Sequence, residues 1–244
     1  MNKLSLAIGI LSWKGYDSLE NSLYSYQKNG LSKMTKHKFV CLPEYKEEGI
    51  RIAEKYNYRP ILIKNNLGIL EGFKRLAKEM PKGPILLLEN DLELIENENE
   101  TYSQLQKSIN FLKKYRFIQV RLRSRKIPGE PFVGLSKYKS YWSDNIISRT
   151  KRILRPFKAR RLIGTSTYYH EEPDKIHPNI VKKIDDNFYL VTSSVLNWAN
   201  LAILVDRDIY LEKIIKKAEE IKSKKNINGF KNIEIELNNS WWRN

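Results

Sequence analysis

Apolar and polar positions alternate in blocks along the first hundred residues. Leu4 to Leu11 (LSLAIGIL) is almost continuously apolar, the pattern of a strand covered on both faces. Tyr16 to Tyr26 follows with Leu19, Leu23 and Tyr26 at helical spacing. The same pairing recurs twice, as strand 38–42 (KFVCL) with helix 47–56, and strand 60–64 (PILIK) with helix 69–80. A fourth apolar run, PILLLEN at 84–90, leads directly into acids. Strand and helix patterns joined by short connections predict an α/β fold with a mostly parallel central sheet flanked by helices. Ligands of such sheets bind beyond the carboxyl ends of the strands, so the acids at 89–91 mark an expected site.

The second half is less regular. Residues 102–115 read as a helix, and 117–123 (FIQVRLR) as a strand with Ile118, Val120 and Leu122 on one face and Gln119, Arg121 and Arg123 on the other. A turn is expected at 127–131, an extended loop or small subdomain over 136–180, and an amphipathic helix over 206–222. Nothing forces a second domain. The expected organisation is one domain, 1–244, with a ligand-binding half (1–100) and an irregular acceptor-binding half (101–244).

Charge separates those halves. Residues 1–100 hold 15 Lys+Arg against 14 Asp+Glu, whereas the whole chain carries a net +16. Between Lys107 and Arg161 there are 17 basic residues and two acids, Glu130 and Asp144. A patch of this kind attracts phosphates, anionic lipid headgroups or nucleic acid, although a solubilising lysine-rich surface is an equal alternative. No apolar run approaches the ~18 residues of a membrane span, and the first residues read as a strand rather than a signal peptide. A cytoplasmic protein is therefore expected. Its single cysteine, Cys41, excludes an internal disulfide and reads as a buried thiol.

Glu89, Asn90 and Asp91 form the strongest constellation, continued in the same parity by Glu93. Carboxylates spaced i and i+2 at a strand end can converge on Mg²⁺ or Mn²⁺; capping of the next segment is the plain alternative. Arg121, Arg123 and Arg125 share one parity, which suits bidentate recognition of a diphosphate or an anionic acceptor. Trp198, in SSVLNWANL, either stacks on a sugar or belongs to the core.

Taken together, LAIGILSWKGYDSLENSLYSY, the acid after the second strand, NNLGILEGFKRLAKEM and ILLLENDLEL resemble the nucleotide-sugar-binding half of family 2 glycosyltransferases. The resemblance covers roughly residues 3 to 95. It implies a GT-A type, Rossmann-like fold and a metal-dependent enzyme that moves a sugar from a nucleotide-diphosphate donor, most simply a UDP-sugar. The acceptor would be a hydroxyl of a glycan or lipid-linked molecule.

Glu89-Asn90-Asp91 stands where that family has its DxD motif, which implies Asp91 as the main metal contact and Glu89 near the donor ribose. Ser12 and Trp13 match the loop bordering the nucleotide; Trp13 either stacks on a base or packs that loop. Glu44 matches the acid that contacts uracil, and Asn66 with Gly68 matches the turn before the third helix. An inverting member uses an acid opening a late helix as base, which implies Glu234, with Glu236 next to it. The chain ends ten residues beyond Glu234, as expected if a final element is missing. His170 is the candidate for a third metal ligand.

The basic segment 107–161 could hold such an enzyme against an anionic membrane. The alternatives are a nucleic-acid-binding protein or metal-dependent nuclease using the basic patch, a sugar nucleotidyltransferase, and a transferase that binds without turnover. A nucleic-acid partner leaves the acids unexplained unless the protein is a nuclease.

Overall fold

The computed structural model describes residues 3–115, 119–124, 133–221 and 228–242. The chain forms two compact units, Met1–Leu122 with Asn200–Glu236, and Arg123–Ala199 with Leu237–Asn244. Residues 101–122 and 200–236, grouped by sequence with the acceptor half, thus pack with the first unit.

In chain order the first unit runs β1 (Ala7–Leu11), α1 (Tyr16–Lys28), β2 (His37–Pro43), α2 (Glu47–Lys55), β3 (Arg59–Ile63), α3 (Gly68–Glu79), β4 (Pro84–Glu89), α4 (Glu98–Tyr115) and β5 (Val120–Arg121). The second unit holds α5 (Val133–Trp142), α6 (Ile146–Leu154), α7 (Pro156–Arg161), α8 (Pro173–Ile176) and the hairpin strands β6 (Lys182–Asp185) and β7 (Phe188–Leu190). The chain returns with β8 (Ile203–Asp206), α9 (Arg207–Ile209), a π-helical turn (Tyr210–Ile215), α10 (Lys216–Glu220) and α11 (Ile233–Ser240).

The first unit is built on a six-stranded sheet of order β3-β2-β1-β4-β8-β5. β1 to β4 are parallel, with Leu11 in register with both Cys41 and Glu89. β8 runs antiparallel to β4 and β5. All five residues of β1 are buried, as its continuous apolar pattern requires. Ile8 and Ile10 face a cluster with Leu19, Leu23 and Tyr26 of α1 and Leu105 and Ile109 of α4. The opposite parity faces α3, where a Cβ on Gly9 would lie 2.7 Å from Met80 Sδ and 3.0 Å from Leu76 Cδ1. The α3 helix therefore sits directly on the middle of β1.

The expected α/β architecture is present in this unit, with three differences. The strand expected over 117–123 is a two-residue pairing, although residues 116–118 lie outside the described residues. Its partner β8 was not expected as a strand, because ILVD is short and opens directly into a helix whose first turn Asp206 caps, accepting from the N–H of Asp208 and Ile209. The expected helix 206–222 is helical from Arg207 to Glu220 but contains the π turn, and Lys222 lies outside the described residues.

In the second unit, the loop expected over 136–180 is mostly helical. Its core is aromatic and polar rather than aliphatic. The Tyr138 hydroxyl lies 3.0 Å from Nε2 of His170 and 2.9 Å from Nε2 of His177, and Trp142 Nε1 donates to the Ala159 carbonyl at 3.0 Å. Burial pushes the pKa of His177 down to about 4, so it packs as a neutral ring.

Trp198 is 1% exposed in this unit. Its ring meets Trp242 edge-on at 5.0 Å, and its backbone is clamped by the Asn238 amide, which accepts from Trp198 N–H at 2.7 Å and donates to its carbonyl at 2.9 Å. Such a ring offers no face for stacking on a sugar; Trp198 is a core residue. Trp198→Ala should cost about 3–5 kcal/mol, read as loss of the second unit's near-ultraviolet circular dichroism at lower urea. A cost below about 1 kcal/mol would return this tryptophan to the surface.

Candidate active site

The candidate site lies at the carboxyl ends of the parallel strands. A pocket of about 180 Å³ is lined by Leu11 and Trp13 after β1, Pro43 at the end of β2, Asn66, Gly68 and Ile69 at the β3–α3 turn, and Asn228, Phe230, Lys231 and Asn232 before α11. Three residues singled out from the sequence, Trp13, Asn66 and Gly68, thus share one wall. The four from 228–232 were missed. Their only sequence signal is the turn-forming NING ahead of Phe230, and Asn228 and Gly229 indeed both adopt positive φ, 51° and 83°.

Local chemistry explains the wall. Asn66 Oδ1 accepts from Gly68 N–H at 2.9 Å, closing the turn that opens α3. Gly68 has φ +76°, and a Cβ there would lie 2.4 Å from Phe230 Cβ. The glycine is therefore demanded twice, by its backbone and by the ring beside it, and its close approach is to Phe230.

At the ends of β1 and β2, Lys14 and Glu44 are non-glycine residues at φ 58° and 49°. Their side chains meet at 3.0 Å, and Trp13 Nε1 donates to the same Glu44 oxygen at 2.7 Å. These two bonds hold the Glu44 carboxyl below the usual range, the Trp13 bond contributing most. Trp13 is 44% exposed with its indole edge fixed in this way, so its ring is oriented at the pocket rim. Two left-handed residues facing each other store strain of the kind found at ligand-binding loops. Ser12, just before, is 1% exposed, and its Oγ has no hydrogen-bond partner among the described residues.

The acids stand on the neighbouring strand. Glu89 pairs in register with Leu11, a pocket residue. Beyond it the backbone is stapled to α1: Ser22 Oγ donates to the Asn90 carbonyl, Tyr26 Oη to that of Leu92, and Asn29 Nδ2 to that of Leu94. The Asn90 side chain donates to the Gly15 carbonyl at 3.1 Å, so Asn90 ties this loop to the start of α1. Asp91 is left exposed. Glu93, despite sharing its parity, lines a separate polar hollow with Asn21, Tyr24 and Lys28.

Glu234 joins Glu89 and Asp91. Asn232 Oδ1 accepts from the N–H of Glu234 and Ile235, capping α11, and Glu234 Oε1 accepts from Asn200 N–H at 2.9 Å. Glu236, one turn position on, is fully buried and faces the interior rather than the pocket mouth. Burial first, then the charges of Asp91 and Glu234, push the Glu89 carboxyl up to about 7. Tyr210 is also near, because Glu89 adds to the burial that keeps its phenol protonated.

Among the described residues, no group of three or more His, Cys, Asp or Glu could hold a metal ion. The acids nevertheless fit a divalent cation in one respect: their mutual repulsion at Glu89 is what such an ion would relieve. His170 belongs to the second unit, on Tyr138. Arg121 is half-buried in the first unit, Arg123 belongs to the second with its guanidinium 6.0 Å over the Tyr168 ring, and Arg125 lies outside the described residues.

No protein-family model matches this chain, and no curated protein matches it either. The functional reading rests on the site itself.

A pH prediction follows from Glu89. With a pKa raised from 4.5 to about 7, the folded chain binds more protons than the unfolded chain in that interval. Stability therefore falls as pH rises from about 4.5 to 7, by up to about 3 kcal/mol from this residue. Glu89→Gln should flatten that segment of a melting-temperature profile. An unchanged slope would mean that Glu89 titrates as an ordinary surface acid.

Proposed function

We propose that the protein is a glycosyltransferase of GT-A type that uses a nucleotide-diphosphate sugar, with the nucleotide at the Trp13–Gly68 pocket and the diphosphate over Glu89 and Asp91. The observation carrying this reading is the juxtaposition, along adjacent strand ends, of a ring-sized pocket with an aromatic rim and a repelling group of three carboxylates. At about 180 Å³ the pocket is smaller than the ~300–1,000 Å³ typical of whole-ligand sites, so it suits a base, with the ribose and phosphates on the open surface toward β4. Glu44, oriented by Trp13 and Lys14, is an acceptor suited to the imide N–H of uracil.

Asp91 and Glu89 would hold Mn²⁺ or Mg²⁺ through hard oxygens, with donor phosphates and water completing the shell. When bound, such an ion supplies charge neutralisation for the leaving diphosphate. Glu234, fixed by the Asn200 N–H, takes the proton from an acceptor hydroxyl. That oxygen bonds to the anomeric carbon as the bond from this carbon to the phosphate oxygen breaks, which inverts the centre and releases the nucleoside diphosphate. The acceptor in this reading is a glycan or lipid-linked hydroxyl.

Isothermal titration of UDP, GDP and dTDP with and without Mn²⁺ tests the reading. One nucleotide should bind in a metal-dependent manner, and Asp91→Ala should weaken it at least about tenfold, or 1.4 kcal/mol. Binding of none of the three would sink it. Binding that survives Asp91→Ala would leave a nucleotide site without the metal.

A further inference from the structure

Most surface helices turn apolar residues toward the protein. The α6 helix does the reverse. It is fastened to α5 by its polar side: Ser148, 2% exposed, donates to the Ser140 carbonyl at 3.2 Å. One turn on, Arg152 donates to the Tyr141 carbonyl at 2.5 Å, with its guanidinium 5.1 Å over the Trp142 ring. The Asn145 side chain caps this helix through Ser148 N–H at 2.8 Å.

Ile146, Ile147, Ile153 and Leu154 are 79%, 64%, 78% and 73% exposed, and Phe157 in α7 is 79% exposed. At about 100° per residue, the four α6 side chains form a stripe roughly 120° wide, centred opposite Ser148 and Arg152. Arg149 and Lys151 flank that stripe on its two sides by the same geometry, and both are exposed. From Asn145 to Arg161 the chain has seven Lys or Arg and no Asp or Glu, so the cationic border continues through α7.

We propose that α6 and the start of α7 form a membrane-docking surface: the Ile146–Phe157 stripe enters the acyl boundary of an anionic bilayer while Arg149, Lys151 and their neighbours pair with lipid phosphates. An apolar stripe between cationic borders is the amphipathic pattern that lies in a membrane interface, with the apolar face a few ångströms below the headgroups. Charge complementarity selects anionic lipid. The border cations would equally suit nucleic acid, but four exposed branched aliphatic side chains offer a polyphosphate backbone nothing to pair with or stack on. No helix among the described residues is long and apolar enough to cross a membrane, so the attachment is peripheral. The proposal stands on the second unit alone and does not depend on the transferase reading.

Flotation with vesicles of phosphatidylcholine containing phosphatidylglycerol, and of phosphatidylcholine alone, tests it without any nucleotide. The wild-type chain should float with the anionic vesicles. Ile147→Ser/Ile153→Ser/Phe157→Ser should lower its partitioning on the order of tenfold or more at every salt concentration, with melting unchanged because the replaced side chains are solvent-exposed. Should that variant melt early, Ile153→Ser alone carries the comparison. Arg149→Gln/Lys151→Gln should weaken anionic binding and reduce its salt dependence.

Failure of the wild-type chain to float would overturn the proposal. So would equal flotation of the serine variant, which would leave only diffuse charge attraction. A wild-type dimer in sedimentation that the serine variant makes monomeric, without vesicle binding, would assign the stripe to a second copy. Tight oligonucleotide binding without vesicle binding would assign the cations to nucleic acid.

Discussion

The close seating of α3 on β1 is the constraint on which the first unit depends. It exists because residue 9 has no side chain, so that Met80 and Leu76 occupy the space a Cβ would fill. Gly72 repeats the device from the helix side, where a Cβ would lie 2.8 Å from Leu11 Cδ1. Fixing α3 at this distance fixes its first turn at the strand ends, and the Asn66–Gly68 turn then brings the backbone against Phe230. The pocket is thus a consequence of helix–sheet packing. Its walls come from residues whose backbone conformations are already determined by that packing.

Electrostatics adds a second layer. The sheet delivers Glu89 into a half-buried position, and the capped start of α11 delivers Glu234 near it. A folded chain that stabilised itself alone would have little use for three acids raising one another's energy. Repulsion retained at the carboxyl ends of parallel strands, beside a pocket, is the signature of a site whose cost is offset when something positive or protonated is present. Asn90 shows how the same short motif divides its labour: its amide holds α1 to the loop, which leaves the acids on either side to do chemistry.

Elements with strong periodicity and complete burial were legible in the sequence. The strands at 7–11, 37–43 and 84–89 and the helices between them follow directly from their apolar spacing. At the site, Trp13, Asn66 and Gly68 could be named because turn chemistry and strand ends are local signals. The remaining wall was not legible, since 228–232 reaches the pocket only through tertiary packing and its residues carry no period. Trp198 and Glu236 show the converse difficulty. Tryptophan and glutamate are read as functional when surroundings are polar, yet one is clamped by Asn238 in a core and the other is fully buried. β8 was missed because four residues that end in a helix cap show neither strand length nor alternation.

The segment 136–180 was misread for a more informative reason. Sequence periodicity reports that a helix has an apolar side; it is usually assumed that this side faces the protein. In α6 the amphipathic pattern is strong, but its inward positions are Ser148 and Arg152, tied by hydrogen bonds to α5 carbonyls and by the guanidinium to Trp142. A core-facing reading finds no consistent partner for Ile146, Ile147, Ile153 and Leu154, and so dissolves the segment into a loop. Burying the polar side satisfies every requirement of attachment while leaving the apolar side free. Large apolar side chains left in water favour any surface that removes them from it, and surrounding them with cations disfavours self-association through like-charge repulsion. The two features act in opposite directions on contact with another copy but in the same direction on contact with an anionic lipid surface, which is why the pattern discriminates between them.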